Sequence, residues 1–185
     1  MSPPAVEPDS PRVAEIIERL GMQPHPERGY YVETYRAAAV VIAPADVRRA
    51  QPAARAAGTA IYFLVTRAQP TTYLHRLLSD EIFHLYEGGP LELLRLREDA
   101  DGRRHGEVAR LGRDLAGGER PQLVIPAGTW FAAELAAGAS HCLIGCTVAP
   151  GFDFADFELA AGPELAQRFP ALADRIARMT RPSPR

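Results

Sequence analysis

The chain contains no lysine; all 21 of its basic residues are arginine. That absence excludes a Schiff-base lysine and the phosphate-gripping lysine of a nucleotide loop. Net charge is also slight, −2 over 185 residues, so no basic field exists to gather nucleic acid or an anionic membrane. No run approaches the roughly 18 apolar residues that a membrane helix needs. The opening MSPPAVEPDS lacks the basic start and apolar stretch of a signal peptide. Cysteine is scarce: Cys142 and Cys146 stand four apart in an apolar run. Within one strand they would share a face about 13 Å apart, beyond disulfide reach, and they are read as small buried apolar residues. A cytoplasmic protein without membrane or nucleic-acid partners is expected. Nucleophile elbows, dinucleotide fingerprints and zinc-finger spacings are missing too.

What is present reads mainly as β-structure. Residues 1–10 are proline-rich and expected to be disordered, 11–160 form the body, and 161–185 a helical segment and tail. Ser10-Pro11 followed by Val13, Ile16, Ile17 and Leu20 predicts a short amphipathic helix stopped by Gly21. PHPERG (24–29) reads as a loop and YYVETYR (30–36) as a strand. In that strand Tyr31, Glu33 and Tyr35 share one face. The Ala/Arg/Pro-rich stretch 43–58 reads as a mobile loop. From 59 onward, short strands recur at spacings near ten residues, up to 153–159. That rhythm, with no long helices between, predicts an all-β sandwich or barrel. After it Leu165, Phe169, Leu172, Ile176 and Met179 mark two short helices divided by Pro170.

Chemistry concentrates between His75 and Gly89, HRLLSDEIFHLYEGG. His75, Glu81 and His84 lie within ten residues, with Tyr86 just beyond and His141 far along the chain. Imidazole and carboxylate together are the usual ligand set for Fe, Mn, Ni or Zn. Without a metal, the same groups form a proton-transfer kit of base, orienting carboxylate and phenol acid. Glu81 and His84 are three apart, so a regular strand turns them to opposite faces unless a bulge intervenes or Glu81 is still in the turn. Glu33 reads as either a cavity-lining residue or a solvated edge. Arg36 and Arg76 could hold an anionic substrate by forked hydrogen bonds.

The order Glu81, six residues, Gly88, then Pro126-Ala127-Gly128 resembles the two signatures of the cupin superfamily. More specifically HPERGYYVETYR (25–36), SDEIFHLYEGGPLELL (79–94), PQLVIPAGTWFAA (121–133) and GCTVAPGFDFADFEL (145–159) resemble a functionally uncharacterised branch of it. The resemblance implies a double-stranded β-helix barrel of jelly-roll type, a bound small molecule, and pairing of two copies into a homodimer. It also exposes departures. The first signature's His-x-His is reduced to His75, and the second signature's His position holds Phe131 beside Trp130. A metal site through His75, Glu81 and His84 and a metal-free organic cavity lined by Trp130 and Phe131 both stay open. Sugar-nucleotide epimerases share the fold and use barrel-lining His and Tyr. By that analogy the leading expectation is an isomerase, epimerase or lyase, with His75 or His84 as base, Glu81 as orienter and Tyr86 or Tyr35 as acid. A metal-dependent oxygenase and a non-catalytic binding module are the rivals.

Overall fold

Side-chain alternation sorts this chain into an interior and two clothed exteriors. The computed structural model describes residues 10–44 and 52–182. Helix α1 (Pro11–Leu20) begins where the Ser10 hydroxyl accepts the Val13 amide, and ends at Gly21 in the left-handed region. Next come β1 (Gln23–Pro24) and β2 (Tyr30–Arg36), then a hairpin of β3 (Val40–Ala43) and β4 (Ala53–Ala56). The body follows with β5 (Thr59–Thr66), β6 (His75–Leu77), β7 (Asp80–Gly88), β8 (Leu91–Glu98) and β9 (Arg104–Leu111). It closes with β10 (Gln122–Ile125), β11 (Trp130–Leu135), β12 (His141–Ala149) and β13 (Phe157–Leu159). Two short helices, α2 (Gly162–Arg168) and α3 (Ala173–Arg178), end the described chain.

Two antiparallel sheets face one another, one ordered β1-β2-β5-β12-β7-β10 and the other β13-β6-β11-β8-β9. Sequence neighbours such as β6 and β7 lie in different sheets, as in a jelly-roll barrel. The expected all-β double-stranded β-helix is what the chain adopts. On β12 the inward residues are Cys142, Ile144, Cys146 and Val148; on β5 they are Thr59, Ile61, Phe63 and Val65. At one end of the sandwich these meet Leu91, Leu93, Leu111, Phe131 and Leu135 in a dry core. At the other end they line a cavity.

The outer faces are covered by helices. Val13 and Ile16 of α1 pack with Tyr30, Leu64 and Leu143 on the first sheet. Leu165 of α2 and Phe169 just after it, with Ile176 of α3 and Met179, cover Leu94, Leu96, Trp130 and Ala132 on the second. Parity is strict here: Leu91 and Leu93 point in, Leu94 and Leu96 point out. Pro170 divides the tail into two helices as its sequence predicts.

Two local expectations change. The stretch 43–58 is not all loop, since Ala53–Ala56 pairs with Val40–Ala43; its centre, and residues 1–9 of the expected disordered tail, lie outside the described residues. The segment 153–159 is strand only over Phe157–Leu159, with a 3-10 turn at Phe154–Asp156 before it. Among the described residues no helix is long and apolar enough to cross a membrane.

Candidate active site

The loop 25–29 brings two functional groups under the β5 edge. Its amide at His25 donates to the Gly29 carbonyl, and the Arg28 amide donates back to the His25 carbonyl, each over 3.0 Å. Arg28 carries φ 78°, a strained value for a residue with a long side chain. Its guanidinium holds the turn in place, donating to Thr71 Oγ1 over 2.6 Å and lying 4.3 Å above the Tyr73 ring. Gly29 has φ 72°, and a Cβ there would sit 2.6 Å from the Leu64 carbonyl oxygen. Only glycine lets the loop approach β5 so closely. The outcome is that Glu27 lies buried against His75, with Oε2 2.6 Å from Nδ1.

His75 Nδ1 also faces the Tyr73 carbonyl at 2.8 Å. Its single hydrogen aligns with that carbonyl, so Glu27 Oε2 is held by charge and has no aligned donor among the described residues. Burial pulls the His75 pKa down, but the adjoining Glu27 carboxylate and the Glu81 carboxyl together raise it above the ordinary value. Burial pushes Glu27 up, and the flanking His75 and His25 more than reverse this, leaving it below the ordinary carboxyl range. The two form an ion pair. His25 stays neutral: burial depresses its pKa, and its Nδ1 accepts the Glu27 amide over 3.3 Å.

Glu81 behaves differently. Burial raises its carboxyl, His75 opposes the rise and Glu27 reinforces it, so that the pKa reaches about 7. The Cys146 thiol hydrogen-bonds to this carboxyl, and burial keeps that thiol protonated. One buried carboxylate is thus ionised and a second is poised near neutrality, which is the pattern of an acid and base pair set by environment.

Above these groups opens a cavity of about 380 Å³. Its floor is His25, Glu27, His75, Glu81 and Cys146, and its walls include Tyr31, Ile61, Leu77 and Val148. Glu33, Arg36, Asp153 and the phenylalanines 152, 154 and 157 form the mouth. Arg36 grips both oxygens of Glu33, at 3.0 and 2.6 Å, and donates to the Phe152 carbonyl.

The residues singled out from sequence divide here. His75, Glu81 and Glu33 line the cavity. His84 does not: residues 81–84 pair with 148–145 in unbroken register, so its side chain emerges on the outer face. There His84 Nδ1 accepts from Gln122 and Nε2 faces Thr147. Tyr86 lies on that outer face as well, edge-on to Tyr62 at 5.7 Å. Tyr35 is turned outward by a bulge between Glu33 and Tyr35, which breaks the shared face read for this strand. Arg76 stacks 4.2 Å above Trp130, and pairs with Glu158, under the C-terminal segment. Phe131 is buried behind the cavity, its ring 4.1 Å from that of His75. His141 also stays out, bonded to Glu87 at 3.2 Å.

The sequence matches the family described as Cupin superfamily (DUF985) over residues 14–160. The chain belongs to the cupin superfamily. Among solved structures, this cupin is similar to a hypothetical protein from Leishmania major, with 33% identity, 91% of this chain and 98% of that one covered, and a TM-score of 0.80. A Shewanella oneidensis protein is similar at 31% identity, covering 91% of this chain and 97% of its own, with a TM-score of 0.75. No curated protein matches it.

For a metal, this cupin offers a poor donor set. The triad His75, Glu81 and His84 is split between two faces of β7's sheet, and no group of three His, Cys, Asp or Glu side chains among the described residues is arranged to hold an ion. Phe131 fills the place beside His75 where a further imidazole would have stood. His25, Glu27 and Cys146 join the site without being among the residues that the sequence singles out. The signal for the first two was the His-Pro-Glu spacing at 25–27; nothing local marked Cys146.

Proposed function

We propose that this protein is a small-molecule enzyme of isomerase, epimerase or lyase type that works by proton transfer. The observation that carries the reading is the Glu27–His75 ion pair set beside Glu81, with its pKa near 7, on the floor of one cavity. Glu27 is the orienting carboxylate, because it fixes the imidazole through Nδ1 and keeps it protonated. That leaves Nε2 as the nitrogen for exchange with a bound molecule. Glu81 in its ionised form takes a proton from carbon next to a carbonyl or imine. His75 gives one to the heteroatom, forming an enol or enamine. In the second half, Glu81 returns a proton to that same carbon while His75 takes back the heteroatom proton, which re-forms the carbonyl or imine and leaves the protein unchanged. Tyr31 is the phenol of this cavity, in place of Tyr35 or Tyr86.

The test is deuterium incorporation from D2O into a panel of small carbonyl and imine compounds, followed by proton NMR. Wild type should exchange one carbon-bound hydrogen in an active compound. Glu81→Gln and His75→Gln should each lower that rate by roughly 10²-fold or more. The rate should climb as pH rises through about 7, where Glu81 ionises. Equal rates in wild type and both folded variants would end the reading.

A further inference from the structure

The charge around the cavity is one-sided, and that selects a class of ligand. This argument rests on the cavity being the binding site proposed above. Three carboxylates besides Glu81 line it, namely Glu27 on the floor and Glu33 and Asp153 at the mouth. Against them stand the His75 imidazolium, spent on Glu27, and Arg36, paired with Glu33, so the charge left over is that of Asp153 and of Glu81 when ionised. Arg36 is spent as well: two of its nitrogens bond Glu33 and a third donates to the Phe152 carbonyl. A phosphate or carboxylate entering here would meet no unengaged cation among the described lining residues. It would have to displace a bidentate pair first.

The uncharged lining leans the same way. Phe152, Phe154 and Phe157 meet edge to face at the mouth, with centroids 5.0 to 6.2 Å apart. Phe154 is 56% exposed, so its ring is open to an arriving molecule. Aromatic faces carry negative potential, so they attract cations and planar N–H-bearing rings.

We infer that the cavity takes an uncharged or cationic, planar nitrogen-bearing compound that presents N–H groups to the carboxylates, and rejects phosphorylated or carboxylated ones. This departs from a sugar-nucleotide substrate, whose phosphates would find no partner. The matched probes are benzamidine, benzamide and benzoate, which share one shape and differ in charge. They are titrated into isotopically labelled protein at low-millimolar concentration and constant ionic strength, with backbone amide shifts as the readout. Benzamidine should shift the 25–33 and 145–157 amides and bind about tenfold more tightly than benzamide. Benzoate should leave those amides unmoved. Glu33→Gln, a change at the solvent-facing rim, frees Arg36 and should narrow the benzamidine–benzoate gap. Benzoate binding as tightly as benzamidine overturns the inference, and so does a well-folded protein that binds none of the three. Charge-ordered binding without deuterium exchange would keep the ligand class and remove the enzyme reading. Exchange seen only with anionic compounds would do the reverse.

Discussion

Glu81 shows how one buried side chain couples chemistry to stability. Its carboxyl titrates near 4.5 in an unfolded chain and about 7 in the fold. Between those values the native state binds more protons than the unfolded state, so this group makes stability fall as pH rises. Two and a half pH units correspond to about 3 kcal/mol, lost progressively from about pH 4.5 to 7. Glu27 has the opposite sign, since its carboxyl is depressed: its contribution is present above its unfolded pKa and fades only as pH falls through the folded value. Glu81→Gln should therefore be more stable than wild type at pH 8, and by less at pH 5, in urea melts at both pH values. An identical difference at the two pH values would contradict the burial-driven shift. On the proposed reaction the same glutamine gains stability and loses proton transfer, a trade typical of destabilised working groups.

Individual elements decide which side chains reach the cavity, and here sequence and structure diverge instructively. Parity alone placed Glu81 and His84 on opposite faces, and the unbroken pairing of residues 81–84 with 148–145 enforces it. Parity misled at Tyr35, because a bulge is a local backbone event that period-two counting does not contain. The helix at 11–20 and the strand rhythm were legible because apolar spacing writes them directly. His25 and Glu27 were not, since a loop residue's position depends on contacts such as Arg28 to Thr71, far off in sequence. The mouth depends on a similar long-range tie. Arg55 of β4 holds both oxygens of Asp156 at 2.7 and 2.9 Å, with side chains only 11% and 5% exposed. Asp156→Ala strands the guanidinium and should cost about 2–3 kcal/mol, whereas Arg55→Met with Asp156→Leu should recover most of it. Chemical denaturation of the three proteins measures this, and equal stability of single and double variants would contradict the pairing.

At the scale of the whole molecule, the terminal helices complete the fold rather than decorate it. Leu165, Phe169, Ile176 and Met179 are buried against the second sheet. Each is worth about 1.5–3 kcal/mol of burial, so together they rival the ~5–15 kcal/mol total stability of a domain. A chain ending at residue 161 should be insoluble or lack near-ultraviolet circular dichroism, while full-length protein melts cooperatively. α1 is tied more lightly. Arg12 grips both oxygens of Glu87 and, with His141, holds that carboxyl down to about 2, in a contact exposed enough to weaken with salt.

The packing of Leu91, Leu111 and Leu135 at the far end of the sandwich has a kinetic corollary. The cavity's mouth lies by Phe154, and among the described residues that plug closes the opposite end. On the proposed reaction, product leaves past the same ring that admits substrate. Product should therefore compete with substrate for the empty protein, and turnover will be governed as much by departure as by proton movement.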